Sequence, residues 1–174
     1  GRVNYDYKGK YLLTFKGIGI TIYSSFNNTQ EKQMNPNQRV IARIHEVFKT
    51  ANDLFGVQLL GLVDIDIRNC GVAAGKASCR RWGNSVTDMK LILNAQLVNE
   101  QDVSKLLEDT IPHEIAHLVC FVRPDLGRNH DRGWRRVCIM LGGSGDRCHR
   151  YDLTKARRTR KAVYNINGNL MDIG

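Results

Sequence analysis

Residues 113–117 read His-Glu-Ile-Ala-His. Four residues on a helix make slightly more than one turn, so the imidazoles of His113 and His117 project from one face and can chelate a single cation. Glu114 stands beside the first imidazole, where a carboxylate can reach a water on the open side of the ion without binding the ion itself. That placement suits a general base. A catalytic zinc takes three protein ligands and keeps its fourth position for water, so one ligand must come from outside the pair. His130 is the first choice, because Pro124 ends the helix and Asp125-Leu126-Gly127-Arg128 gives the chain room to return. Asp125 and Asp131 are acidic alternatives for the same position. A closed structural site would instead need a fourth ligand, for which Cys120, Cys138 and Cys148 are available.

The expected reaction follows from these types. One Zn2+ lowers the pKa of its water, Glu114 takes the proton, the hydroxide attacks a peptide carbonyl, and Glu114 returns the proton to the leaving amine. The developing oxyanion needs a further donor. Arg147, His149 and Tyr151 are the candidates, and His45 is assigned no role.

These residues need elements to hold them. A helical stretch is expected from near Val103 to before Pro124, with Pro112 inside it kinking or restarting the helix and leaving the Glu108 carbonyl to find another partner. A first helix should begin at Asn35-Pro36 and bury Val40, Ile41, Ile44, Val47, Phe48, Ala51, Leu54 and Phe55, with Gly56 as its stop. A short helix after residue 130 should turn Trp134, Val137, Cys138 and Leu141 inward. Between the two long helices, "GLVDIDIR", "GVAAGKASCRRW" and "DMKLILN" read as a small, mostly antiparallel sheet, and the first 34 residues as a β extension. An extended substrate could add to this sheet as a strand, and "DMKLILN" is the expected edge, with an interior position as the alternative. Asn167-Gly168 between apolar runs signals a C-terminal hairpin.

Composition sets the limits. At 174 residues and 42% hydrophobic, one domain with a small appendage is expected: residues 1–150 as the domain and 151–174 as a basic tail. No apolar run reaches the roughly 20 residues of a membrane helix, so a soluble, intracellular (cytoplasmic) protein without a membrane partner is expected. Five cysteines without a C-x-x-C pair indicate neither a disulfide framework nor a zinc ribbon. The net charge is +9, and residues 123–174 hold twelve Lys/Arg against five Asp/Glu. Lys155, Arg157, Arg158, Arg160 and Lys161, with Arg132, Arg135 and Arg136 upstream, point to sequence-independent contact with DNA or RNA. Trp82 and Tyr164 are available to stack on exposed bases.

"LLEDTIPHEIAHLV" followed by "GRNHDRGW" resembles the SprT-like (Spartan-type) zinc metalloproteases, over about residues 36–143, with "DMKLILNAQLV" matching the strand and turn before the active helix. The resemblance implies an α+β, zincin-like metalloprotease domain. It also implies His113, His117 and His130 as zinc ligands, Glu114 as the catalytic carboxylate, and Trp134 packed behind the third ligand. The implied activity is hydrolysis of peptide bonds in proteins, in the best-known members proteins bound or crosslinked to DNA. Two features depart from the family. The tail has Cys148-His149 where many relatives carry a zinc ribbon, and Asp131-Arg132-Gly133-Trp134 follows the third histidine where Gly-Pro-Glu-Phe is commoner. The competing expectation is a nucleic-acid-binding module with a structural zinc and no turnover.

Overall fold

The computed structural model describes residues 34–147 in full and, outside that span, the backbone of five short strands. Three of these, β1 (Val3–Tyr5), β2 (Tyr11–Phe15) and β3 (Ile18–Ile22), pair antiparallel in that order.

Helix α1 (Pro36–Phe55) begins where side-chain capping is strongest. The Asn35 carboxamide accepts the Gln38 N–H at 3.0 Å, and Gln38 returns the bond to the Asn35 N–H at 3.0 Å. It ends at Gly56, whose φ of 65° lets its N–H close on the Asn52 carbonyl. Val40, Ile41, Ile44, Val47, Phe48 and Ala51 are buried as their spacing predicts. Phe55 is half-buried against the core, and Leu54 is instead 49% exposed.

The central sheet contains β4 (Val63–Arg68), β5 (Gly75–Trp82) and β6 (Ser85–Asn94) in the order β4-β6-β5. Strands β4 and β6 run parallel, Val63 opposite Met89 through Arg68 opposite Asn94, while β5 and β6 are antiparallel. The sheet is therefore mixed rather than mostly antiparallel, and "DMKLILN" lies in the middle strand, not at an edge. The physical signal is the unbroken buried run Leu91-Ile92-Leu93-Asn94, since a strand covered on both faces loses the in-out alternation of an edge. Among the described residues the outer strands of this sheet are β4 and β5.

The active-helix stretch runs from α2 (Val103–Lys105) through a π-helical turn, Leu106–Thr110, into α3 (Ile111–Val122). In the π turn the Ile111 N–H reaches the Leu106 carbonyl, five residues back instead of four. That register places the Leu107 carbonyl, not that of Glu108, opposite the nitrogen Pro112 cannot protonate. Arg43 Nε of α1 donates to the Leu107 carbonyl at 3.0 Å. Helix α4 (Arg132–Met140) follows, with Trp134, Val137 and Cys138 buried. The core joins α1, β6, α3 and α4, with Ile44, Leu91, Leu93, Ile115 and Leu118 all at 0% exposure; each such side chain contributes roughly 1.5–3 kcal/mol.

Near the C-terminus β7 (Val163–Ile166) and β8 (Asn169–Asp172) pair antiparallel. The turn between them and the basic run 155–161 lie outside the described residues. No described helix is long and apolar enough to cross a membrane.

Candidate metal centre

Helix α3 carries His113 and Glu114 with their side chains buried and His117 half-buried, on the side that meets β5 and α4. The third histidine arrives on a loop. Gly127 and Gly133 close that loop by direct backbone approach: a Cβ on Gly127 would fall onto the Trp134 nitrogen, and one on Gly133 onto the Leu126 carbonyl oxygen. Between them Asp131 caps α4, accepting the Trp134 N–H at 2.8 Å through Oδ1 and the Arg128 N–H at 3.0 Å through Oδ2. The Trp134 N–H, with those of Arg128 and Gly133, holds the Asp131 carboxyl below the usual carboxylate range. His130 takes a positive φ of 60° inside this clamp, which aims its ring at α3.

The result is convergence. His130 Nε2 stands 3.1 Å from His117 Nε2 and 3.2 Å from His113 Nε2, and one ligand atom from each of the three histidines lies within 4.8 Å of the others. Zinc–nitrogen bonds of about 2.0–2.1 Å in a tetrahedral site put ligand nitrogens roughly 3.3 Å apart. Three neutral imidazole nitrogens facing one point cannot all satisfy one another, because each offers either a proton or a lone pair. One cation at that point satisfies all three, so the donor set fits a metal ion such as zinc. Trp134, 1% exposed, backs the whole set, its ring centroid 4.7 Å from His113, 5.0 Å from His117 and 4.5 Å from His130.

The alternative ligands are engaged elsewhere. Asp125 forms a two-point ion pair with Arg123 at 2.9 and 2.7 Å, and Asp131 serves as the cap. Among the described residues the cluster contains no cysteine. Burial pushes the Cys120 thiol up to about 12 and the Cys138 thiol up to about 11, so both stay protonated in the core. Arg147 is exposed, whereas Cys148, His149 and Tyr151 lie outside the described residues.

Glu114, 6% exposed, accepts the Ala77 N–H of outer strand β5 at 2.8 Å through Oε2. Residue spacing did not reveal this partner, 37 positions away in the chain. Gly75 makes the approach possible, since a Cβ there would stand 2.8 Å from Thr110 Cγ2 and 3.0 Å from Glu114 Cγ. A glycine inside a strand pattern is a sign of close backbone approach, and "AAGKAS" carries one.

Residues 44–156 match the SprT-like family. Over 88 residues, half of this chain, the sequence is 33% identical to Protein SprT of Vibrio parahaemolyticus serotype O3:K6 (strain RIMD 2210633). The aligned region spans 48% of that relative's length. No solved structure matches the chain.

Proposed function

This chain belongs to the SprT-like family, and we propose that it is a zinc-dependent endopeptidase whose substrates are proteins associated with DNA. The observation that carries the reading is the convergence of three histidine Nε2 atoms, 3.1 and 3.2 Å apart, beside a buried glutamate. His113, His117 and His130 hold the zinc, and 1–150 forms the zincin-like domain. Bound zinc supplies Lewis acidity, which lowers the pKa of a water and polarises a carbonyl.

Glu114 moves the proton. The Ala77 N–H fixes Oε2, so Oε1 takes the proton from the attacking water and returns it to the departing amine nitrogen as the peptide C–N bond breaks. Strand β5, an outer strand whose Ala77 N–H is taken by Glu114, offers its remaining outer hydrogen-bonding groups to an extended substrate. Trp134 walls the ligands on their inner side and excludes water from them. Arg147, His149 and Tyr151 remain the proposed oxyanion donors. The basic run Lys155, Arg157, Arg158, Arg160 and Lys161 is proposed to hold DNA non-specifically, in an intracellular setting.

The test pairs zinc content by mass spectrometry with cleavage of a DNA-binding protein, with and without single-stranded DNA. Wild type is expected to carry one zinc and to cleave, Glu114→Gln to keep zinc and lose cleavage, and His130→Ala to lose both. Cleavage undiminished in Glu114→Gln would overturn the mechanism. Zinc without cleavage in wild type would favour a structural ion in a nucleic-acid-binding module.

A further inference from the structure

Strand β5 leads away from the metal centre and ends in an exposed aromatic. Its Ala77 N–H meets Glu114. At about 3.3 Å per residue, Trp82 closes the same strand roughly 16 Å farther on. Trp82 is 86% exposed, more than any other large apolar side chain of the described span, of which Leu62 at 60% comes next. Single apolar residues of ordinary size are common on surfaces. A tryptophan this bare contributes little to the core, yet it offers a partner more apolar area than almost any other side chain.

The ring is also held in place relative to the site. Strands β5 and β6 meet through Gly83 and Asn84 alone, with Trp82 opposite Ser85. Gly83 turns the chain with a φ of 58° that a side chain would resist. Arg81 donates from its guanidinium to the Phe121 carbonyl at 3.1 Å, which ties the hairpin to the helix carrying His113 and His117. A bulge lies between the two ends of the strand. Two steps on β5, from Ser78 to Arg80, face three on β6, from Lys90 to Thr87, and Asp88 takes up the difference with a φ of 49°. Bulges of this kind re-aim the residues beyond them.

Alternation along the strand assigns the faces. Arg81 reaches towards α3, so Trp82, the next residue, stands on the opposite face of the sheet. Ala77 directs its N–H away from β6, and every second residue does the same, so Cys79 and Arg81 present backbone N–H and carbonyl groups on that outer side. A polypeptide pairing there would bring one of its own side chains opposite Trp82, with about 4.5–5.5 Å between Cβ atoms. On its other side Trp82 faces only Ser85, whose small side chain leaves the ring uncovered.

We infer that Trp82 is a specificity-determining residue, which grips an apolar or aromatic side chain of an extended polypeptide about five residues from the scissile bond. The inference rests on the peptidase reading of the same site and deepens it by naming the substrate class. That class is protein already unfolded over the length of β5, with an apolar residue at one set distance from the bond that is cut. Tryptophan is the residue type most often found carrying such contacts.

The bond that the zinc-loaded full chain cuts in unfolded casein supplies the sequence for the test peptides. A short peptide ends about three residues from that bond on both sides, and two long ones extend to about eight residues on one side or the other, far enough to pass Trp82. One of the two extensions is expected to raise kcat/KM about tenfold, mainly through KM, when its fifth residue is leucine or phenylalanine. In Trp82→Ala the ratio of long to short should fall to near one, and Trp82→Phe should keep most of the gain. A gain equally large in Trp82→Ala overturns the proposal, as does the absence of any gain from either extension. Weaker oligothymidylate binding by Trp82→Ala with the peptide ratio intact also overturns it, since bases would then be what the ring holds. If wild type cuts no casein, the peptidase reading fails by itself. The anchor is then read from the anisotropy of fluorescein-labelled unfolded casein on the zinc-loaded chain, where Trp82→Ala should bind about tenfold more weakly and equal binding overturns the anchor.

Discussion

His130 holds a φ of 60°, in the left-handed region that is uncommon outside glycine, although histidine, like asparagine and aspartate, is enriched there. Such a conformation persists when its surroundings over-determine it. Here the Gly127–Gly133 closure and the Asp131 cap do so, and both can be seen in "GRNHDRGW" once the contacts are known. The histidines themselves were legible, because spacing on a helix is geometry that a sequence states directly. The breadth of Trp134's role was not: the resemblance implies packing behind one ligand, and the ring backs all three. Its Nε1 is buried with no hydrogen-bond acceptor among the described residues, which makes its substitutions informative. Trp134→Ala should cost about 3–5 kcal/mol in urea unfolding and weaken zinc retention. Trp134→Phe should cost distinctly less, since it keeps ring packing and removes an unsatisfied donor. Equal losses for the two variants would mean that the indole, not the aromatic wall, is what the ligands require.

At the scale of elements, the π turn before α3 is the feature that depends most on two segments acting together. Pro112 deprives one carbonyl of its partner, and the shifted register passes that deficit from Glu108 to Leu107, where Arg43 of α1 meets it. The missing donor was legible in the sequence; its address was not, because a proline does not state whether the turn before it is α or π. The sheet was opaque for a related reason. "VDIDIR" and "DMKLILN" each declare a strand, but strand order and direction depend on contacts between distant segments, and only the unbroken apolar run of the second hinted at a central place. The coupling between α1 and the π turn can be measured. Arg43→Ala should destabilise the fold by about 1–3 kcal/mol by leaving the Leu107 carbonyl unpaired. Pro112→Ala restores an N–H at that place, so the double variant should lose less than the two singles together. Strict additivity in the cycle would show that the Arg43 contact does not serve this carbonyl.

For the whole molecule, the core is one continuous body, and two of its members are thiols. Burial pushes Cys120 up to about 12 and Cys138 up to about 11 from an ordinary 9.0. The folded state thus keeps protons that the unfolded chain gives up. Stability falls with rising pH wherever the unfolded state binds fewer protons. The contribution of these thiols is therefore fully present below about pH 9 and lost as pH climbs through 11 and 12. Thermal unfolding between pH 8 and about 11 should show a declining midpoint from pH 9 upward. The midpoint alone does not assign the decline to cysteine, because tyrosines and lysines titrate in the same range. A Cys120→Ala/Cys138→Ala variant makes the assignment: it starts lower for want of core volume, yet its decline should be shallower than that of wild type. Parallel curves would place the alkaline sensitivity in the other titrating groups and leave the two buried thiols as packing alone.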